Sequence, residues 1–168
     1  MSLKGILLYS ARAAVFAAAV CAVYAIICLV KRKRPRLKAL LGTAYIAALV
    51  QITVLRGGID WAAVSGGMRD MPRIVPFGTT AELVDGGAWN LIYNIAGNIL
   101  WFVPLGLLLG RGSAWRALLM GAAFSLAIEI SQYILITGMG DIDDIIFNAA
   151  GSLLGWLLYK CLPARWRI

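Results

Sequence analysis

The stretch ALLMGAAFSLAIEISQYILITGMGDIDD, residues 117–144, decides how this chain is read. Ala117–Ile136 is apolar over the roughly 20 residues that a membrane-spanning helix needs, yet it contains Glu129, the one acidic residue within any apolar run. Ser125, Glu129, Gln132 and Tyr133 recur at helical spacing and so share one face. A charge at the bilayer centre costs at least about 2.5–3.5 kcal/mol, so Glu129 has to be paired, protonated or open to a water-filled cavity. The chain then turns through Gly138-Met139-Gly140 into Asp141-Ile142-Asp143-Asp144.

Four further apolar runs surround this one, at Ala13–Val30, Ala39–Leu55, Leu91–Leu109 and Ile145–Leu162. Composition agrees: 61% of the 168 residues are hydrophobic, 14% are charged, and the mean hydropathy is +0.82. Soluble domains hold about 45–50% apolar and about 25% charged residues. Five spans would consume about 100 residues, leaving too little chain for a separate soluble catalytic domain. The expectation is an all-α polytopic membrane protein with about five transmembrane helices and a long external loop between helices 2 and 3. Residues 1–168 are read as a single integral membrane domain, with residues 1–55 supplying two N-terminal spans. Because Lys31-Arg32-Lys33-Arg34 follows the first run directly, that run reads as a retained anchor rather than a cleaved signal.

Basic residues collect in the first connection (Lys31, Arg32, Lys33, Arg34, Arg36, Lys38), the third (Arg111, Arg116) and the tail (Lys160, Arg165, Arg167). The other side receives Lys4, Arg12, Arg56, Arg69 and Arg73. The positive-inside rule then predicts an external N-terminus and a cytoplasmic C-terminus in a bacterial cell membrane. The net charge of +8 is explained by topology and by contact with anionic membrane lipids, not by nucleic acid, because no groove-reading module accompanies it.

Absences narrow the chemistry. There is no histidine, which removes His-based triads and imidazole–zinc sites, and Cys21, Cys28 and Cys161 lie in apolar stretches without a CxxC pair. They read as packing residues.

The remaining polar residues fall in one layer toward the outer boundary. Asn94 and Asn98 share a face of the third span, with Gly97 beside them expected to let another backbone approach. Asp144, Asn148, Gly151 and Gly155 share a face of the fifth, the two glycines forming a GxxxG-like spacing for close helix packing. Asp141, Asp143 and Asp144 suit helix capping. They also resemble the oxygen-rich surroundings of a hard cation, although the calcium-loop pattern is absent. No cofactor is assigned.

Residues Arg56–Asn90 form a connection too apolar to be a solvated tail, with Trp61, Met71, Pro72, Ile74, Val75, Pro76, Phe77 and Trp89, and suited to the membrane surface. Thr79-Thr80-Ala81-Glu82 fits a capping box and predicts a short interfacial helix. Arg73 is the expected partner of the acidic layer or of a ligand phosphate, since its guanidinium forks onto either.

Taken in order, the blocks Arg73-Ile74-Val75-Pro76-Phe77, Asn94-Ile95-Ala96-Gly97-Asn98 through Trp101-Phe102-Val103-Pro104-Leu105-Gly106, Glu129-Ile130-Ser131-Gln132, and Asp141-Ile142-Asp143-Asp144 through Asn148 and Gly151 to Gly155 resemble the VanZ-like family of bacterial membrane proteins. The resemblance covers about residues 73–158. Two positions depart from the family's usual pattern: Ile74 stands where Asn is common, and Thr137-Gly138-Met139-Gly140 lacks the basic residue that often precedes the first Asp. The family's founding member is associated with glycopeptide (teicoplanin) resistance. The resemblance therefore implies a role in cell-envelope assembly or (lipo)glycopeptide susceptibility.

On this reading Arg73, Asn94, Asn98, Glu129, Gln132, Asp141, Asp144 and Asn148 form a ligand-binding site for a lipid-linked cell-wall precursor or a glycopeptide antibiotic. Two other classes stay open. One is a membrane enzyme acting on a lipid phosphate, with carboxylate-held Mg²⁺ or a carboxylate base; the signatures of such enzymes, paired His or a DG…AR…D run, are missing. The other is a small proton- or cation-coupled transporter using Glu129, which five helices would support only as an oligomer.

Overall fold

The structure, a computed structural model, describes residues 3–55, 58–67 and 69–163, with side chains from Ala11 onward. Arg56, Arg165 and Arg167 and the side chain of Lys4, all counted in the charge asymmetry, lie outside the described residues. Seven helices and no strand are found among the described residues: α1 (Leu3–Val30), α2 (Leu37–Thr53), α3 (Trp61–Gly66), α4 (Gly78–Asp85), α5 (Ala88–Leu108), α6 (Ala114–Leu135) and α7 (Ile142–Cys161).

The five long helices fall on the five apolar runs. Three of them, α1 over Ala11–Val30, α5 and α6, are long and apolar enough to cross a membrane. The two others differ for separate reasons. α2 is apolar but has 17 residues. α7 has 20 residues, about 30 Å at 1.5 Å per residue, but carries Asp143, Asp144 and Lys160.

The chain divides into two compact units, residues 1–58 and 59–168. The first is a helical hairpin. Ala13, Ala17 and Cys21 recur every fourth residue along α1; both alanines are buried, and the Cys21 thiol reaches the Leu40 carbonyl at 3.6 Å. Small side chains at this spacing let two helices approach closely. α1 stops in a Schellman turn, with Lys33 N–H bonded to Cys28 O, Arg32 N–H to Leu29 O, and Arg32 in the left-handed region at φ 52.

In the second unit α7 is the central helix. Its Gly151 and Gly155 lie directly on the α5 backbone, where an added Cβ would collide with the carbonyls of Ile99 and Val103. Gly106 of α5 is equally close to Ser152 and Trp156. On its other side, Gly121 of α6 faces Ser152 and Ala149. These pairings run α5 parallel to α7 and α6 antiparallel to both. Phe102 and Phe124 meet edge to face at 6.2 Å between α5 and α6. The GxxxG expectation therefore holds for Gly151 and Gly155, whereas Gly97 has open space where its Cβ would be and admits no backbone. Residues four apart define a face, but which glycine on it meets a neighbour depends on where the helices cross.

Near the start of the second unit, Asp60 caps α3 by accepting from Ala62 N–H and Ala63 N–H. α4 forms where a short helix was expected, though not through the expected cap. It starts at Gly78, behind a Val75–Gly78 turn closed by Gly78 N–H to Val75 O at 3.1 Å. Pro76 occupies the second position and Phe77, at φ 62 and ψ 13, the third, which is a type II turn with Phe where Gly is usual. The Phe77 ring is held against Phe147 of α7, 6.4 Å between centroids.

Candidate functional site

The end of α6 and the start of α7 bring the acidic residues together. α6 terminates at Ile136, which takes φ 54, and the Gln132 carbonyl accepts from both Ile136 N–H and Thr137 N–H. A β-branched residue in this region is strained. The sharp stop turns the chain back so that Asp141 N–H donates to the Glu129 carboxylate at 2.9 Å. Arg69 covers the last α6 carbonyls, its guanidinium donating to Tyr133 O and Ile134 O at 3.2 Å each and lying over the Tyr133 ring. Nothing in the sequence pattern pointed to Arg69 as an α6 cap.

Each carboxylate then holds a different element. Asp141 caps α7, accepting from Asp143 N–H at 2.9 Å, and also accepts from the Thr79 hydroxyl at 2.6 Å. Asp143 is 1% exposed and accepts from Phe77 N–H at 2.5 Å, Thr80 N–H at 2.9 Å and the Thr80 hydroxyl at 2.8 Å. It thus caps α4 from 63 residues away in sequence, doing what Thr79 was expected to do within its own helix. Asp144 accepts from the Asn98 amide of α5. The segment from Arg73 to Thr80 is thereby strapped onto the α7 N-terminus, and its backbone adds a parallel bridge: Arg73 N–H to Gly140 O at 2.7 Å and Ile142 N–H to Arg73 O at 3.0 Å.

The Arg73 side chain differs from the expectation. Its guanidinium donates to Glu82 at 2.7 Å and to the Thr79 hydroxyl at 3.1 Å, so it reaches the acidic layer only through Thr79. Glu82, one α4 turn from Thr79 and exposed, was the nearer and less costly partner, since an ion pair formed there needs no desolvation of a buried carboxylate.

One turn further into the bundle, the Asn148 amide donates to Ser125 Oγ at 2.8 Å, while its Oδ1 is buried without a partner. Thr137 Oγ1, in the α6–α7 connection, is likewise buried and unpartnered. Below Asn148, Ser152 donates to Ala117 O at 2.8 Å and is packed against Gly121 and Gly106. The polar layer ends at that depth. Gln132 packs its side chain under Gly138. Asn94 is half-buried one turn before Asn98, and its side chain has no hydrogen-bond partner among the described residues.

Of the expected residues, then, Asn98, Glu129, Asp141, Asp144 and Asn148 converge between α5, α6 and α7. Gln132 shapes the turn above them, Asn94 stands at the rim, and Arg73 contributes backbone. Asp143, Thr79 and Thr80 were missed as a group. Asp143 lies off the Asp144–Asn148 face, and a threonine's partner 60 residues away leaves no periodic trace. Glu129 is 5% exposed and close enough to Asp141 and Asp144 for their like charges to repel. Among the described residues no three Asp, Glu, Cys or His side chains are grouped so that they could hold a metal ion.

The second unit is inside out by the standard of water-soluble proteins. Ser125, Glu129, Asp141, Asp143, Asn148 and Ser152 are buried while Leu100, Leu126, Ile130, Ile134, Leu157 and Leu158 are exposed. Polar groups turned to the bundle interior with aliphatic groups outward define a helical membrane protein. The chain belongs to the VanZ/LLP1 family, whose profile matches residues 42–163. It is similar to Protein VanZ of Enterococcus faecium, 41% identical over 66 residues, a match spanning 37% of this chain and 41% of that relative. No solved structure matches.

Proposed function

We propose that the chain binds a lipid-linked or glycopeptide-type ligand in the polar cleft of its second unit, and that this binding influences cell-envelope assembly or (lipo)glycopeptide susceptibility. The observation that carries the reading is the junction at Glu129, Asp144, Asn98 and Asn148: groups that are costly in lipid gather from three helices, more of them than the packing of three helices requires. Arg111, Arg116 and Lys160 stand at the opposite end of the α5–α7 bundle. The positive-inside rule supports a site that faces the exterior, where such ligands are met. The seal at Gly121, Ser152 and Gly106 favours a ligand that enters and leaves at one end over a path through the bundle. Susceptibility to lipoglycopeptides is compared in cells carrying the wild-type chain, Glu129→Gln or Asp144→Asn at equal expression. Loss of the wild-type effect is expected, and an unchanged phenotype would remove the cleft from the mechanism.

A further inference from the structure

Among the residues that converge here, the hydrogen-bond donors are in use, while several acceptor oxygens are not. Asn98 donates its amide to Asp144, Asn148 donates its amide to Ser125, and the Asp141 N–H is on Glu129. What is left over is carboxylate oxygen on Glu129 and Asp144 and the orphaned Oδ1 of Asn148, a residue 5% exposed and one turn inward from both acids. The nearby guanidiniums are committed elsewhere, Arg73 on Glu82 and Thr79, Arg69 on the α6 carbonyls. A buried acceptor without a donor is unfavourable, and like-charged carboxylates taken out of water repel. Both are relieved by one kind of group, a cation that carries several N–H bonds.

We propose that the cleft recognises a primary ammonium group, which would hydrogen-bond Glu129, Asp144 and the Asn148 Oδ1 together. Building on the binding role proposed above, this specifies the part of the ligand that enters the cleft. A phosphate has no donors and the wrong sign, so it stays outside. Asp144, half-buried where Glu129 and Asn148 are buried, is the point of entry. The ammonium can be carried by a lipid headgroup or by a soluble amino sugar, and the two sources are told apart experimentally.

The full chain is reconstituted in nanodiscs of mixed phosphatidylethanolamine, phosphatidylcholine and phosphatidylglycerol, and the lipid that stays bound is read by native mass spectrometry. These lipids share the phosphate and differ in bearing a primary ammonium, a quaternary ammonium without N–H, or no cation. Selective retention of the ethanolamine lipid is expected for a lipid source. Saturable glucosamine binding to chain held in pure phosphatidylcholine discs is expected for a soluble one. Asp144→Asn, which keeps an oxygen for Asn98, should weaken whichever binding is seen about tenfold, as one charge-assisted bond contributes. The wild-type comparison needs no variant. Equal retention of the three lipids without glucosamine binding overturns the proposal, as does undiminished binding in Asp144→Asn with an unchanged melting temperature. If binding fails while Glu129→Gln still alters susceptibility, the ammonium is wrong and the functional cleft stands.

Discussion

Replacing Asp143 by Ala tests whether the buried carboxylate latches α4 to α7. The wild-type group accepts three hydrogen bonds, from Phe77 N–H, Thr80 N–H and the Thr80 hydroxyl at 2.5, 2.9 and 2.8 Å. A bond to a charged acceptor contributes about 1.5–3 kcal/mol. Three that share one carboxylate do not add fully, so the strap should lose about 3–5 kcal/mol. Asp143 N–H keeps its own bond to Asp141, and the α5–α7 glycine contacts are untouched. The loss should therefore be local. Hydrogen–deuterium exchange in nanodiscs reads it: the Phe77 and Thr80 amides should exchange roughly a hundredfold faster or more, each 1.4 kcal/mol being about a factor of ten. Amides in the middle of α5, α6 and α7 should hardly change. Thr80→Val removes one of the three bonds and should give an intermediate acceleration. Wild-type exchange at Phe77 and Thr80 in Asp143→Ala would refute the latch, and equal acceleration throughout the bundle would show that Asp143 supports the core and not the strap.

Two further outcomes concern packing. Gly151→Ala and Gly155→Ala put a methyl onto the Ile99 and Val103 carbonyls, backbone that cannot step aside, and each should destabilise the second unit by about 1–3 kcal/mol in detergent unfolding. Gly97→Ala meets open space and should be neutral or stabilising by up to about 1 kcal/mol. At the type II turn, Phe77→Gly relieves about 1 kcal/mol of backbone strain and forfeits an edge-to-face contact of similar size, so its melting temperature should stay near wild type. Phe77→Val keeps the strain and loses the contact, and should melt measurably lower.

Much of the fold was legible because it is local. Each long helix coincides with an apolar run, and the polar faces at Ser125/Glu129 and Asp144/Asn148 follow from 3.6-residue periodicity alone. The Asn148–Ser125 and Asp141–Glu129 hydrogen bonds join these faces across α6 and α7. The partner of each group was not legible. Thr79 and Thr80 looked like half of a capping box because that pattern is read within four residues, whereas both hydroxyls go to aspartates more than 60 residues on. Arg73 was expected to meet the acidic layer or a ligand phosphate, since its guanidinium forks onto either. The three-dimensional chain offered it exposed Glu82, nine residues away, at smaller desolvation cost.

From the residues alone came a helical membrane chain, the faces its helices present, and the small set of polar side chains that hydrocarbon does not tolerate. Spacing along one helix settles those, since they depend on neighbours within a turn or two. Only the tertiary structure decided that Gly151 and Gly155, not Gly97, are the points of backbone contact, that Asp143 of α7 caps α4, and that Asn148 keeps an unsatisfied oxygen one turn inside the acids. Those outcomes depend on where helices cross and which donors that crossing brings within reach of each carboxylate, and neither is written in any single segment of the chain.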